Sequence, residues 1–182
     1  MKKLRYLFDG SFGTYYAALN QTRESCEMAN LIAPSAVAQI HDAYLAAGAD
    51  AILTNTFAAN RFTQPERLRD ILEAGLGIAG ESVGRAREGG KNAVVFADIG
   101  VIRRPAEEAE AGYLENARLF VELGANRFLF ETLDAFDPLL PALDLIRRTC
   151  PGAEIAVSFA VSTDGYTAAG RDICFRLASN RF

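Results

Sequence analysis

Apolar positions along the chain switch between two spacings in a regular order. In residues 34–47, Ile40, Ala43, Tyr44 and Ala47 recur three and four apart, which puts them on one face of a helix. Gly48 stands where a glycine closes a helix in the left-handed conformation. Ala51, Ile52 and Leu53 then form an unbroken apolar run, as in a strand covered on both faces. That run stops abruptly at Thr54-Asn55-Thr56. A strand ending in small polar groups presents them to something.

The same signals repeat elsewhere. Residues 4–8 predict a first strand ending in Asp9-Gly10, with a helical turn at 15–19 inside a long polar and small-residue segment. Pro34 suits the first position of the helix that follows, where its missing N–H is not needed. A third strand is predicted at 93–97, ending in Asp98, a fourth at 128–130, ending in Glu131-Thr132, and a fifth at 155–159. Helical spacing fills the intervals. One helix opens near Pro65 and ends at Gly89-Gly90. Its Gly75, Gly77, Gly80 and Gly84 each weaken it by roughly 1 kcal/mol relative to alanine, which suggests that they serve close packing. A second opens at Pro105 with Glu107 and Glu108 in its first turn, where acidic side chains favour the helix dipole, and stops at Gly124. A third lies near 138–149, Asp164-Gly165 is a turn, and a last helix is expected to begin near 171. The alternation predicts an α/β fold of parallel strands with covering helices. A doubly wound sheet and part of a (β/α)8 barrel both satisfy it. The first turn, DGSFGTYYAALN, lacks the GxGxxG of a dinucleotide-binding fold.

Composition narrows the picture. The chain has 182 residues, half of them hydrophobic, enough for one core and too few for two comfortable domains. Its 19 basic and 23 acidic residues give a net charge of −4, with no basic block of the kind that tracks a phosphate backbone. No apolar run approaches the ~20 residues of a membrane span, and the start carries no signal-peptide core. Cytoplasmic residence is the expectation. Cys26, Cys150 and Cys174 are an odd number at wide spacing, read as free thiols.

Parallel strands place their carboxyl ends on one side, where both barrels and open sheets bind ligands. Asp9, Thr54-Asn55, Asp98 and Glu131-Thr132 therefore share one rim. Acids without a lysine or arginine among them suit an ammonium group or a metal ion. Arg61, Arg103 and Arg104, in nearby loops, offer a partner for a carboxylate. Structural roles stand beside these readings: Asp-Gly is a common turn, and Asp98 and Glu131 have the alternative of capping the following helices. His41, the only histidine, is read as a packing residue or a supporting hydrogen-bond partner. Ser158 lacks a GxSxG elbow, which argues against a hydrolase triad.

The segments DGSFGT (9–14), HDAYLAAGADAILTNTFAANRF (41–62), ADIG (97–100), FLFET (128–132) and VSFAVSTDG (157–165) resemble the homocysteine S-methyltransferase family. That family includes betaine–homocysteine methyltransferases and the homocysteine domain of cobalamin-dependent methionine synthases. The resemblance runs to about Asp172 and implies a (β/α)8 TIM barrel, here an incomplete barrel of about five β/α units over residues 1–172, with a divergent tail at 173–182. It implies homocysteine and a methyl donor as partners and methionine as product. It also implies Asp9 and Glu131 at the substrate amino group, with Gly10, Phe12, Thr54 and Asn55 lining the pocket. A catalytic zinc is implied as well, to hold the thiolate. The chain stops before the family's zinc cysteines, so no metal residue is assigned and a truncated form lacking the zinc-ligand half is expected. Asp98-Ile99-Gly100-Val101 departs from the family pattern, which has a proline after this motif. The alternative function is a non-catalytic α/β binding or interaction module. Open barrel edges would let it self-associate as a homo-oligomer.

Overall fold

The computed structural model describes residues 6–21, 25–168 and 170. Residues 4 and 5 of the first expected strand, the helix expected from 171, the 173–182 tail and Cys174 lie outside the described residues.

Six α-helices and four strands are described: α1 Phe12–Asn20, α2 Ala29–Ile32, α3 Pro34–Ala47, β1 Ala51–Leu53, α4 Leu68–Glu88, β2 Val94–Gly100, α5 Ala106–Glu122, β3 Arg127–Leu133, α6 Leu140–Thr149 and β4 Glu154–Phe159. Short 3-10 turns at Cys26–Met28 and Asp137–Leu139 lead into α2 and α6. Local chemistry sets these limits. Pro34 opens α3. Gly48, at φ 116°, closes it by donating its N–H to the Leu45 carbonyl at 3.1 Å, a conformation that costs a residue without a Cβ little. The expectation of close packing at the α4 glycines holds only for Gly75, where a Cβ would lie 2.8 Å from Asn30 Nδ2. Nothing lies within 4 Å of a Cβ at Gly77, Gly80 or Gly84.

All strands pair in parallel, in the order β1-β2-β3-β4. The expected first strand is reduced, within the described residues, to a parallel bridge between Phe8 and Ala51, held by Asp9 N–H to Ala51 O at 3.0 Å and Ala51 N–H to Leu7 O at 3.2 Å. Alternation of side chains gives the sheet two faces. Ala97, Ile99, Phe128 and Phe130 pack with Ile71 and Leu72 of α4, Phe120 of α5 and Ile146 of α6 in the main core. Phe120, Phe128 and Phe130 are among the largest fully buried side chains, each contributing about 1.5–3 kcal/mol by leaving water. The opposite face carries Ala51, Val94, Phe96 and Leu129, with Tyr6, Phe8, Leu53 and Ala156 against them. Period two puts Asp98 on this second face beside Phe96, and Glu131 beside Leu129.

Candidate functional site

The structure extends two of the strands beyond their expected ends. β2 runs to Gly100 and β3 to Leu133, so Asp98 and Glu131 are strand residues near the carboxyl ends. Register places Asp98 beside Leu129 and Gly100 beside Glu131. Neither acid caps a helix: Pro105 occupies the cap position of α5, and Leu139 that of α6. The register shifts between Phe130 and Leu133, and Thr132 takes φ 54°. A β-branched residue with positive φ is a strained choice that a bulge imposes here. Thr132 N–H donates to Ser158 Oγ at 3.0 Å, which gives that serine a structural partner.

Asp9 follows the Phe8 bridge and accepts a hydrogen bond at Oδ2 from Leu53 N–H at 3.1 Å, while its Oδ1 is buried without a partner. Burial pushes its carboxyl up to about 7; the charge of Glu131 adds to this and the Leu53 amide opposes it. Burial also raises Glu131 above its ordinary value. Asp98 is 3% exposed, and its Oδ1 has no partner. Burial raises it well above the carboxylate range, with further contributions from Glu131, Asp9 and Glu27 in that order. Asp9, Asp98 and Glu131 thus form one interacting cluster, and among the described residues no lysine or arginine acts on them.

The polar loop after β1 positions this cluster. Asp98 N–H donates to Thr54 Oγ1 at 2.9 Å, and Thr56 Oγ1 donates to the Asp98 carbonyl at 2.8 Å. The two hydroxyls lie 2.6 Å apart. With the Thr56 proton committed to the carbonyl, Thr54 is the donor between them. Asn55 Nδ2 donates to the Cys26 carbonyl at 2.7 Å and to Asn30 Oδ1 at 2.8 Å. Gly10 lies under Tyr44, since a Cβ there would meet its hydroxyl at 3.0 Å. Phe12 packs on the His41 ring, with centroids 5.1 Å apart. So Asp9 feels the charge of Glu131, Gly10 sits against Tyr44 and Phe12 against His41, and the Thr54 and Asn55 side chains are engaged with protein groups.

His41 is fully buried, and neither ring nitrogen has a partner, so packing is its described role. Burial lowers it to about 4. The three loop arginines are engaged with the protein. Arg61 Nε lies 3.4 Å from Glu115, Arg103 Nε lies 3.4 Å from Asp134, and Arg104 sits over the Phe62 ring at 4.9 Å. Sequence reasoning missed Glu27, which is 3% exposed and accepts from Ala58 N–H at Oε1 at 2.9 Å, with Ser25 Oγ donating to its other oxygen. It also missed Asn30. Both come from the segment before α3, whose sequence carries no signal setting them apart from loop residues.

A parallel sheet with interacting acids at the carboxyl ends of its strands defines an α/β protein, and that rim is its candidate ligand site. The sequence profile of the family described as homocysteine S-methyltransferase matches residues 6–176, and the chain belongs to that family. The structure of the homocysteine methyltransferase MmuM from Escherichia coli in its metallated form aligns with a TM-score of 0.78 at 18% identity, covering 97% of this chain and 70% of that one. The oxidized form gives 0.78 at 17%, covering 94% and 67%, and the apo form 0.69 at 18%, covering 97% and 67%. At such identity the likeness is one of fold. Comparison with curated proteins finds no significant match.

Among the described residues, no three His, Cys, Asp or Glu side chains are placed to hold a metal ion. Cys26 and Cys150 are free thiols. Burial, with the Glu27 charge added, pushes Cys26 up to about 12, and a thiol so held is a poor source of the thiolate that ligates metals. The described residues do not fit a metal centre.

Proposed function

We propose that this chain binds homocysteine as the acceptor of a methyl group, with its ammonium between Asp9 and Glu131. The supporting observation is the cluster of interacting acids, on which no basic residue among the described residues acts, in a chain of the homocysteine S-methyltransferase family. Two carboxylates at one point repel each other, and a bound ammonium turns that repulsion into attraction. Charge-assisted hydrogen bonds of this kind contribute about 1.5–3 kcal/mol each. Fixing the amino end orients the sulfur, and orientation lowers the barrier to displacement. In the reaction, the sulfur forms a bond to the methyl carbon as the bond from that carbon to its donor breaks. The thiol proton is lost and methionine results.

Calorimetric titration with homocysteine tests the binding step. The expected result is saturable binding that weakens by about 10- to 100-fold in Asp9→Asn and Glu131→Gln, as loss of one charge-assisted bond implies. Binding indifferent to both substitutions would refute the assignment. Methionine formation with betaine, S-methylmethionine, S-adenosylmethionine or a methylfolate as donor then tests for transfer by the chain itself.

A further inference from the structure

Asp98 is the member of the acid cluster that the ammonium reading leaves without work. Its backbone is fixed at both ends: the N–H by Thr54 and the carbonyl by Thr56. The side chain therefore cannot leave the second face of the sheet without breaking a buried network. There Oδ1 is sealed from water with no donor beside it. Asp9 differs, because Leu53 N–H supplies a donor that favours its charged form. Glu131 differs too, being only half-buried. Among the described residues, the charged groups acting on Asp98 come from three elements, Glu131 on β3, Asp9 after the Phe8 bridge and Glu27 in the 3-10 turn before α2, and all three are acidic. A buried carboxyl with one oxygen lacking any donor and the charges of three other acids acting on it favours its protonated form.

A cation entering the cluster reverses that balance. We propose that Asp98 is a positioning residue that holds a proton in the empty site, and that an ammonium group bound between Asp9 and Glu131 displaces this proton to solvent. The uptake is then an exchange: the ammonium enters, the Asp98 O–H bond breaks, and the proton leaves as the carboxylate forms. Charge in the cluster changes little, so the buried acids never carry a full set of unbalanced negative charges. Such a site favours ligands with a protonated amine over isosteres without one, since only the cation supplies the field that expels the proton. The inference rests on the placement of the ammonium proposed above.

Calorimetry separates the two. Homocysteine is titrated into the protein at pH 8, where Asp9 has already lost most of its proton, in phosphate and in Tris, whose protonation enthalpies differ, and the difference in heat gives the protons released by Asp98. The expected value is roughly half to one proton per ligand, with affinity rising by up to about tenfold per pH unit where the cluster titrates. 4-Mercaptobutanoate, which lacks the amine, is expected to release none. Asp98→Asn keeps the shape and cannot ionise; it is expected to lose the release and flatten the pH profile, while Asp98→Glu restores both. Binding by the wild-type chain with no proton released overturns the inference and leaves the homocysteine site standing. Equal release by Asp98→Asn, or by the amine-free probe, also overturns it. Absence of homocysteine binding refutes the site itself and the inference with it. The wild-type measurement is decisive alone if the variants do not fold.

Discussion

Asn30 and Asn55 hold each other through two hydrogen bonds across 25 residues of chain. Asn55 Nδ2 donates to Asn30 Oδ1, and Asn30 Nδ2 donates to the Asn55 carbonyl, each at 2.8 Å. Asn30 also donates to the Ile71 carbonyl at 3.1 Å in the first turn of α4. One buried amide thus ties the segment before α3, the loop after β1 and a helix of the main core. Removing it takes a donor from the Asn55 and Ile71 carbonyls and an acceptor from the Asn55 amide, which keeps only Cys26. Asn30→Ala is expected to cost about 2 kcal/mol of stability, read as a lower midpoint in urea unfolding.

Asp9 makes the fold sensitive to pH in an unusual direction. Its carboxyl titrates near 7 in the folded chain, against an ordinary value of 3.8. Between those values the folded state binds more protons than the unfolded one, so this contribution is complete below 3.8 and is lost as pH rises through 7. Asp9→Asn removes the penalty and keeps an acceptor for Leu53. The variant is expected to be more stable than wild type at pH 7.5 by on the order of 2 kcal/mol, discounted for the partial exposure of Asp9. The gap should close towards pH 4 in urea titrations run across that range.

His41 acts with the opposite sign. Its ring titrates near 4 when folded, against 6.5 ordinarily. The folded state binds fewer protons in that window, so this contribution is complete above 6.5 and is lost as pH falls through 4. His41→Leu retains an apolar contact for Phe12 and has nothing to protonate. Its melting temperature is expected to fall less between pH 7 and pH 4.5 than that of wild type.

Glu131 adds its charge to the burial that raises Asp9. Glu131→Gln is expected to bring the Asp9 carboxyl down from about 7 towards its ordinary value, because it removes a like charge. Carbon-13 carboxyl shifts followed over pH measure this directly. An unmoved Asp9 titration would show that the two acids do not interact.

Two glycines give contrasting expectations. A Cβ at Gly100 would lie 2.4 Å from the Phe57 carbonyl, which accepts from Gly100 N–H at 3.1 Å. Gly100→Ala must push this loop off β2, and a loss of about 2 kcal/mol or more is expected. Gly77 is exposed within α4 and meets nothing. Gly77→Ala should raise stability by about 0.5–1 kcal/mol through helix propensity alone. Paired unfolding curves check both.

The order of elements was legible in the sequence because it depends on short-range physics. Apolar spacing distinguishes helix from strand, Pro34 opens α3, Gly48 closes it, and Gly124 at φ 85° follows α5. The rim of polar residues followed from the same pattern, since parallel strands align their ends. Strand length did not, because Asp98 and Glu131 read locally as stops. Only pairing with Leu129 and Gly100 across the sheet carries them into the strands. Nor did the sequence distinguish Thr54, whose hydroxyl fixes the Asp98 backbone, from a polar group free to meet a ligand. That distinction rests on partners 44 residues away, as the reach of Asn55 to Cys26 and Asn30 rests on partners 29 and 25 residues away. The sequence by itself determined the order of strands and helices and which polar groups fall near the carboxyl ends of the strands. The tertiary structure alone decided which of those groups are engaged and which acids are sealed together, because burial and charge depend on neighbours that only folding supplies.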